Sequence, residues 1–407
     1  MRRSRPAIRS CAVAAVVLLT GCAAAGSAQS SAPRADAGQS ATGTATAGQV
    51  SARRLAAASD PARSPAALPA LSDRQLAGQR VVYSYSGLTP PARLLRRIRH
   101  GQAAGVIFFS QNVASRAQVR QVAAELQRAD RSRLNPVREP LLLMTDQEGG
   151  LVRRLPGPPE MSEKQVGESA HPAAAANEAG SGAGRNLHGA GLNVNLAPVL
   201  DVYRQAGNFI DEFGRSYSRN PEVVSALGAD FIKAQQAKGV AATGKHFPGL
   251  GAATTAQDTD VRPVTLNLSR HAIQTIDERP YAAAIAAGVK LVMMSWAAYP
   301  ALGSHRPAGL SSKVVQGQLR QRLGFAGVTI TDALEAGALR HYGSIGRRGV
   351  LAATAGMDLL LCSGLHVSEG VEALDGLDDA YRDGTLNKSA FQAAVRGIIA
   401  LRTSLAG

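Results

Sequence analysis

Three short stretches of this chain each carry an acid or a base directly after a β-branched or apolar run. Gly327-Val-Thr-Ile-Thr-Asp332 puts a carboxylate behind four residues that favour a pleated, buried backbone. The small residues after it suit the start of a helix, so Asp332 is read either as a reactive group at a strand end or as a helix N-cap. A second run ends Met144-Thr-Asp146-Gln-Glu-Gly-Gly150, with Arg153 and Arg154 just beyond. Glycine lets the backbone turn sharply, so these charges either reach into a pocket or lie solvated in a turn. The third ends Gly244-Lys245-His246-Phe-Pro-Gly249. Neighbouring side chains on a strand point to opposite faces, so Lys245 and His246 line one pocket only where the strand ends or bulges, which Pro248 and Gly249 permit. A cation and an imidazole beside such a turn can hold several hydroxyls by directed hydrogen bonds. A zinc site lacks a second ligand at the required spacing.

The elements that must position these groups are legible in the alternation of the chain. Strands are expected at Val81 to Tyr85, Gly105 to Phe109, Leu141 to Asp146, Leu192 to Ala197, Val240 to Phe247, Lys290 to Trp296, Val328 to Asp332 and Asp358 to Cys362. Amphipathic helices are expected between them, for example at Ser115 to Asp130, Pro221 to Lys238, Asp277 to Ala287 and Lys313 to Leu323. Eight near-continuous apolar strands separated by helices imply a parallel sheet buried on both faces, and the length suits a single α/β domain of the (β/α)8 TIM-barrel type. Asp146, Lys245, His246 and Asp332 would then share the rim at the carboxyl ends of strands three, five and seven. A doubly wound open sheet is the alternative fold, but no Gly-x-Gly-x-x-Gly follows the first strand and a dinucleotide site has little support. There is no internal repeat of fixed period.

Ahead of this domain the texture differs. Arg2, Arg3, Arg5 and Arg9 precede an apolar run from Ala12 to Leu19 that is too short to span a bilayer. Leu19-Thr-Gly-Cys22 then resembles the bacterial lipobox, which implies a signal peptide over residues 1–21 and an acylated Cys22 tied to the outer face of the cell membrane. Residues 22–68 are rich in Ala, Gly, Ser, Thr and Pro and read as a flexible linker, leaving 69–407 as the barrel domain. Of the three cysteines, only Cys362 falls in that domain, so no disulfide is available to it and stability must come from the core. The net charge of +15 falls to about +9 once the signal and linker are set aside. Arginines without interleaved aromatic residues argue against nucleic acid; an exported basic chain meets anionic wall polymers or lipid headgroups instead.

Taken together, Asp146-Gln-Glu-Gly-Gly, Lys245-His-Phe-Pro-Gly and Thr331-Asp332-Ala-Leu-Glu-Ala-Gly-Ala resemble glycoside hydrolase family 3. Asn195-Leu-Ala-Pro-Val-Leu-Asp-Val and Gly214-Arg215-Ser-Tyr add to the match. The resemblance is closest to the single-domain bacterial N-acetyl-β-glucosaminidase branch and runs from about Leu71 to Leu405. It implies a retaining β-glycosidase that removes a terminal N-acetylglucosamine from cell-wall or chitin-type glycans, with Asp332 as nucleophile. Asp146, Arg154, Arg215, Lys245 and His246 map onto its sugar-binding positions. It implies no cofactor and no metal, a carbohydrate substrate, and action as a monomer.

The sequence departs from that branch at one chemically decisive point. Where the branch has Asp-Ser/Thr-His, with the histidine as general acid and base, this chain reads Asp258-Thr-Asp260. Two carboxylates two residues apart disfavour double ionisation, which raises one pKa towards the range of a general acid. Asp260 is therefore the expected proton donor with Asp258 as partner, unless both merely order a polar loop. Leu151 and Leu250 are expected to make the rim less polar. Trp296 is read either as a sugar platform or as core. The alternatives in function are a sugar-binding lipoprotein of weak activity, a β-glucosidase, and transfer of the sugar to phosphate.

Overall fold

A computed structural model describes residues 68–406. The expected signal peptide, Cys22 and the linker up to residue 67 lie outside the described residues. The eight barrel strands are β1 (Val81–Tyr83), β2 (Gly105–Phe108), β3 (Leu142–Thr145), β4 (Val194–Asn195), β5 (Ala241–Phe247), β6 (Leu291–Met294), β7 (Val328–Ala333) and β8 (Leu359–Leu361). Each pairs in parallel with its sequence neighbours, and β8 pairs with β1 to close the ring. This is the expected (β/α)8 barrel, and the open-sheet alternative is excluded by that closure. Seven of the eight strands fall inside their expected windows, and β7 runs one residue beyond its own.

Alternation along the strands sorts the side chains into two cores. Val82, Ile107, Met144, Met293, Ile330 and Leu361 point inward and pack in the lumen, while Val106, Leu143, Val292 and Leu360 point outward under the helices. Each such fully buried aliphatic side chain contributes about 1.5–3 kcal/mol, which is why the strands read as continuous apolar runs. The helices that cover the outer face include Ala92–Arg99, Arg116–Asp130, Pro172–Gly189, Pro221–Gln236, Arg279–Ala286, Ile345–Ala355 and Val367–Arg382. Lys313–Arg322 is wound wider than an α-helix, as a π-helix.

The final helix, Lys388–Ser404, closes the amino-terminal end of the barrel. Its Ile398 and Leu401 join the lumen core. Its Arg402, fully buried, pairs with Asp130 at 2.8 Å and donates to Gln79 and to the carbonyls of Glu139 and Pro140, residues that lead into the first and third strands. The opposite end stays open.

The expectation of a helix directly after Asp332 is not met. β7 runs on through Ala333, a turn follows, and a short 3-10 segment, Gly337–Tyr342, precedes the α-helix at Ile345. That helix is capped by Ser344, so Asp332 is no helix cap. The small residues serve instead to let this turn lie flat against a neighbouring loop.

Candidate active site

The open end of the barrel holds a pocket of about 380 Å3. Its floor is Ile107, Leu196, Met293 and Leu361, contributed by β2, the residue after β4, β6 and β8. Above the floor stand Asp146 just after β3, Lys245 on β5 and Asp332 on β7. Even-numbered strands thus supply an apolar layer and odd-numbered strands a charged one, the layering that inward side chains of a barrel of eight staggered strands produce. His246 would point away by strict alternation. A shift in register between β5 and β6 at Gly244 to Phe247 brings it into the same pocket as Lys245.

Burial forces these charges into pairs. The Lys245 ammonium lies 2.7 Å from Asp146 and 2.7 Å from Glu148. Glu148 also receives Arg215 as a two-toothed pair, both contacts at 2.9 Å. Burial alone would raise the Glu148 pKa, but the Arg215 and Lys245 cations override it and hold the carboxyl down to about 2. Burial would likewise lower Lys245, and Asp146 and Glu148 raise it instead. Glu148, Arg215 and Lys245 are therefore held in their charged forms, and with Asp146 they make a fixed set of donors and acceptors. Glu163, buried behind it, is pushed well up by burial and by the Glu148 charge.

His246 is oriented from below. Its Nδ1 lies 2.8 Å from the Asp201 carboxylate, which also accepts the backbone N–H groups of His246 at 3.3 Å and Leu250 at 2.6 Å. A carboxylate can only accept, so Nδ1 carries the proton and Nε2 is left for a ligand. Arg154 lines the pocket from just beyond the short strand Val152–Arg153, which follows a Gly149-Gly150 turn with both glycines at positive φ. A Cβ at Gly149 would come within 2.2 Å of the Met161 carbonyl, so only glycine fits there. The Arg154 Nε is buried without a hydrogen-bond partner among the described residues.

Asp332, Asp260 and Glu335 complete the lining. Asp332 accepts the N–H of Ala333 at 2.8 Å and forms no ion pair among the described residues. Asp260 sits at the solvent-facing mouth. Partial burial, then the charges of Asp332 and Asp258, push its carboxyl up to about 6, against the opposing pull of His246 and Arg215. Asp258 accepts the backbone N–H of Asp260 at 2.8 Å, so it braces the loop as well as charging it. Two backbone bonds latch that loop to the turn beyond β7: Gly337 N–H to the Asp260 carbonyl at 2.7 Å and Ala338 N–H to the Thr259 carbonyl at 3.0 Å. Glu335 accepts from the Ser363 hydroxyl at 2.6 Å, and burial raises its pKa against that bond.

All seven residues expected at the site, Asp146, Arg154, Arg215, Lys245, His246, Asp260 and Asp332, line this one pocket. Leu250 lines it too, but Leu151 does not: it stands 76% exposed at the tip of the turn. Trp296 is core rather than platform, fully buried, with its indole N–H on the Ala333 carbonyl at 2.8 Å. There it props the end of β7. Three carboxylates stood outside the expected site residues, although each lies inside a motif already recognised: Glu148 two residues from Asp146, Asp201 near the end of the Asn195 run, and Glu335 three residues beyond Asp332.

Similar proteins sharpen what this arrangement means. A family model described as the glycosyl hydrolase family 3 N terminal domain matches residues 78–401. A protein of Arthroderma benhamiae described as an uncharacterized secreted glycosyl hydrolase is 46% identical over 329 residues, covering 81% of this chain and 93% of its own. A beta-hexosaminidase of Stenotrophomonas maltophilia is 32% identical over 306 residues, 72% of this chain and 87% of that one. Among solved structures, a glycoside hydrolase family 3 beta-N-acetylglucosaminidase from Paenibacillus sp. superposes with a TM-score of 0.78 at 36% identity, over 83% of this chain and 63% of that longer chain. The match runs from the helix before β1 to the helix that closes the barrel, and the chain belongs to glycosyl hydrolase family 3.

Proposed function

We propose that this protein is an exported, retaining exo-β-N-acetylhexosaminidase that removes terminal N-acetylglucosamine from cell-wall or chitin-type glycans. One observation carries the reading: Asp332, a carboxylate with no ion pair among the described residues, and Asp260, a second carboxylate whose pKa is raised to about 6, line the same small pocket beside the ion-paired Asp146, Glu148, Arg215 and Lys245. In the first step Asp332 attacks the anomeric carbon and Asp260 gives its proton to the departing glycosidic oxygen. In the second, Asp260, now ionised, takes a proton from water as that water displaces Asp332, so the sugar leaves with its original anomeric configuration. Asp146 and Glu148 accept hydrogen bonds from ring hydroxyls, and Arg154, Arg215, Lys245 and His246 hold the same ring. The pocket is at the small end of the roughly 300–1,000 Å3 range of ligand sites, which suits one sugar ring at a chain end. Beta-hexosaminidase and secreted glycosyl hydrolase relatives support the substrate and the export. Acylation of Cys22 would tie the catalytic domain, residues 69–407, to the membrane through the linker 22–68.

The test is release of an activated phenol from an aryl β-N-acetylglucosaminide by residues 69–407, with Asp332→Asn as control. The phenol leaves without a proton, so its release in the first step needs the nucleophile and not the acid. Turnover that falls by more than about a thousandfold in Asp332→Asn is expected. Cleavage of aryl β-glucoside in preference would make the protein a β-glucosidase, and binding of N-acetylglucosamine without turnover would make it a sugar-binding lipoprotein.

A further inference from the structure

The basic charge of the domain is concentrated on one side of the barrel. Between residues 91 and 140 lie ten arginines against three acids, Glu125, Asp130 and Glu139, and of those acids Asp130 is buried and already paired with Arg402. The arginines cluster on the adjacent helices Ala92–Arg99 and Arg116–Asp130 and the loop after them. Leu94, Leu95 and Ile98 anchor the first helix and Val119, Val122 and Leu126 the second, which turns Arg93, Arg96, Arg99, Arg116, Arg120 and Arg128 outward. All six are exposed, and among the described residues none of the ten enters an ion pair. Elsewhere on the barrel Arg74, Arg185, Arg279 and Arg382 have acid partners, and exposed arginines without one, such as Arg219, Arg262 and Arg347, stand on separate segments. The face is bounded on one side by Glu372 of the Val367–Arg382 helix, across a cleft from Arg93, Arg96, Arg97 and His100.

Two further features fix the kind of partner. Leu88, 45% exposed, precedes the first helix, and Leu134, 57% exposed, follows the second. The Leu88 carbonyl accepts from Gln118 near the start of the Arg116–Asp130 helix, and Leu134 lies beyond its other end, so a leucine stands at each end of the arginine field. No aromatic residue lies on either helix, so the face offers nothing on which bases could stack. Arginines that neutralise phosphates, with apolar side chains at the margin, are what a peripheral protein presents to an anionic bilayer.

We propose that the face formed by the Ala92–Arg99 and Arg116–Asp130 helices docks on the surface of an anionic phospholipid membrane. Helices of a (β/α)8 wall run along the barrel axis, so docking lays that axis along the bilayer and turns the pocket mouth sideways, over the surface. A lipid on Cys22 and this face would act as two separate anchoring signals, the combination that makes attachment stable. The interaction is independent of the reaction in the pocket.

Residues 69–407 carry the closed barrel, its cores and its closing helix, so the test uses that domain without the segment that would be acylated. Cosedimentation is measured with vesicles of mixed phosphatidylglycerol and phosphatidylcholine, with phosphatidylcholine alone, and with soluble polyphosphate as competitor. Binding to the anionic vesicles that fades with rising salt is expected, and Arg93→Glu/Arg96→Glu/Arg116→Glu/Arg120→Glu should lower the partition coefficient by roughly 100-fold or more while aryl-glycoside turnover stays unchanged. Leu88→Ser/Leu134→Ser, with every charge kept, should weaken vesicle binding several-fold and leave polyphosphate binding intact. Equal binding by wild type and the fourfold variant, or none to anionic vesicles at low salt, overturns the proposal. Binding of polyphosphate together with indifference of vesicle binding to the leucine substitutions would reassign the face to a free polyanion.

Discussion

At the scale of single residues, the site separates groups that are locked from groups that are poised. Glu148 is locked: it neutralises Arg215 and Lys245 at once, with both cations within 2.9 Å. Glu148→Gln leaves Arg215 buried without its acid and Lys245 with Asp146 alone, and a loss of about 3 kcal/mol or more in thermal or denaturant unfolding is expected, with KM raised. Asp260 is poised. Its folded pKa of about 6 lies above its ordinary value, so it is an acid below pH 6 and loses its proton above it. Cleavage of an unactivated disaccharide should accordingly decline about tenfold per pH unit above 6, and Asp260→Ala should abolish that limb. With an activated aryl substrate Asp260→Ala should give a burst of phenol followed by slow turnover, accelerated by added azide, because the second step still lacks its base. The seven candidate residues were legible because each ends a strand, belongs to a motif or lies just beyond one. Trp296 was ambiguous because nothing local tells whether an indole faces the pocket or props the strand; the Ala333 carbonyl behind it decides.

At the scale of elements, what was readable was period and what was not was register. Near-continuous apolar runs identified every barrel strand, since burial on both faces demands apolar side chains at each position. The displacement that lets Lys245 and His246 share a pocket depends on how β5 meets β6, a contact between residues about fifty positions apart along the chain. The turn after β7 was misread as a helix start for the same reason: Ala333, Ala336 and Gly337 are small to fit another loop, not to begin winding. Closure of the barrel floor was equally invisible, because Arg402 reads locally as one basic residue on an amphipathic helix. Its partners come from residues 79, 130, 139 and 140. Arg402→Ala should strand the Asp130 carboxyl in the interior and cost about 3–5 kcal/mol in unfolding experiments, with kcat of the surviving folded protein little changed.

At the scale of the whole molecule, one end of the barrel is sealed, the other is reactive, and one flank is cationic. Net charge was plain from composition, but only the fold shows that the ten arginines of residues 91–140 gather on two neighbouring helices and the loop after them. The latch between the Asp260 loop and the turn beyond β7 has a consequence in time. Both halves of the proposed reaction are carried by segments joined through the amides of Gly337 and Ala338. At Gly337 a Cβ would meet the Val261 carbonyl at 2.2 Å, so the two backbones lie in direct contact. Water for the second step must enter while they stay joined, or else the amides must be released once in each cycle. Hydrogen exchange at these two amides therefore measures how often the mouth opens. Protection matching the global unfolding free energy would show a mouth that never parts during turnover, whereas faster exchange, slowed by a bound sugar, would make loop release the clock of the enzyme.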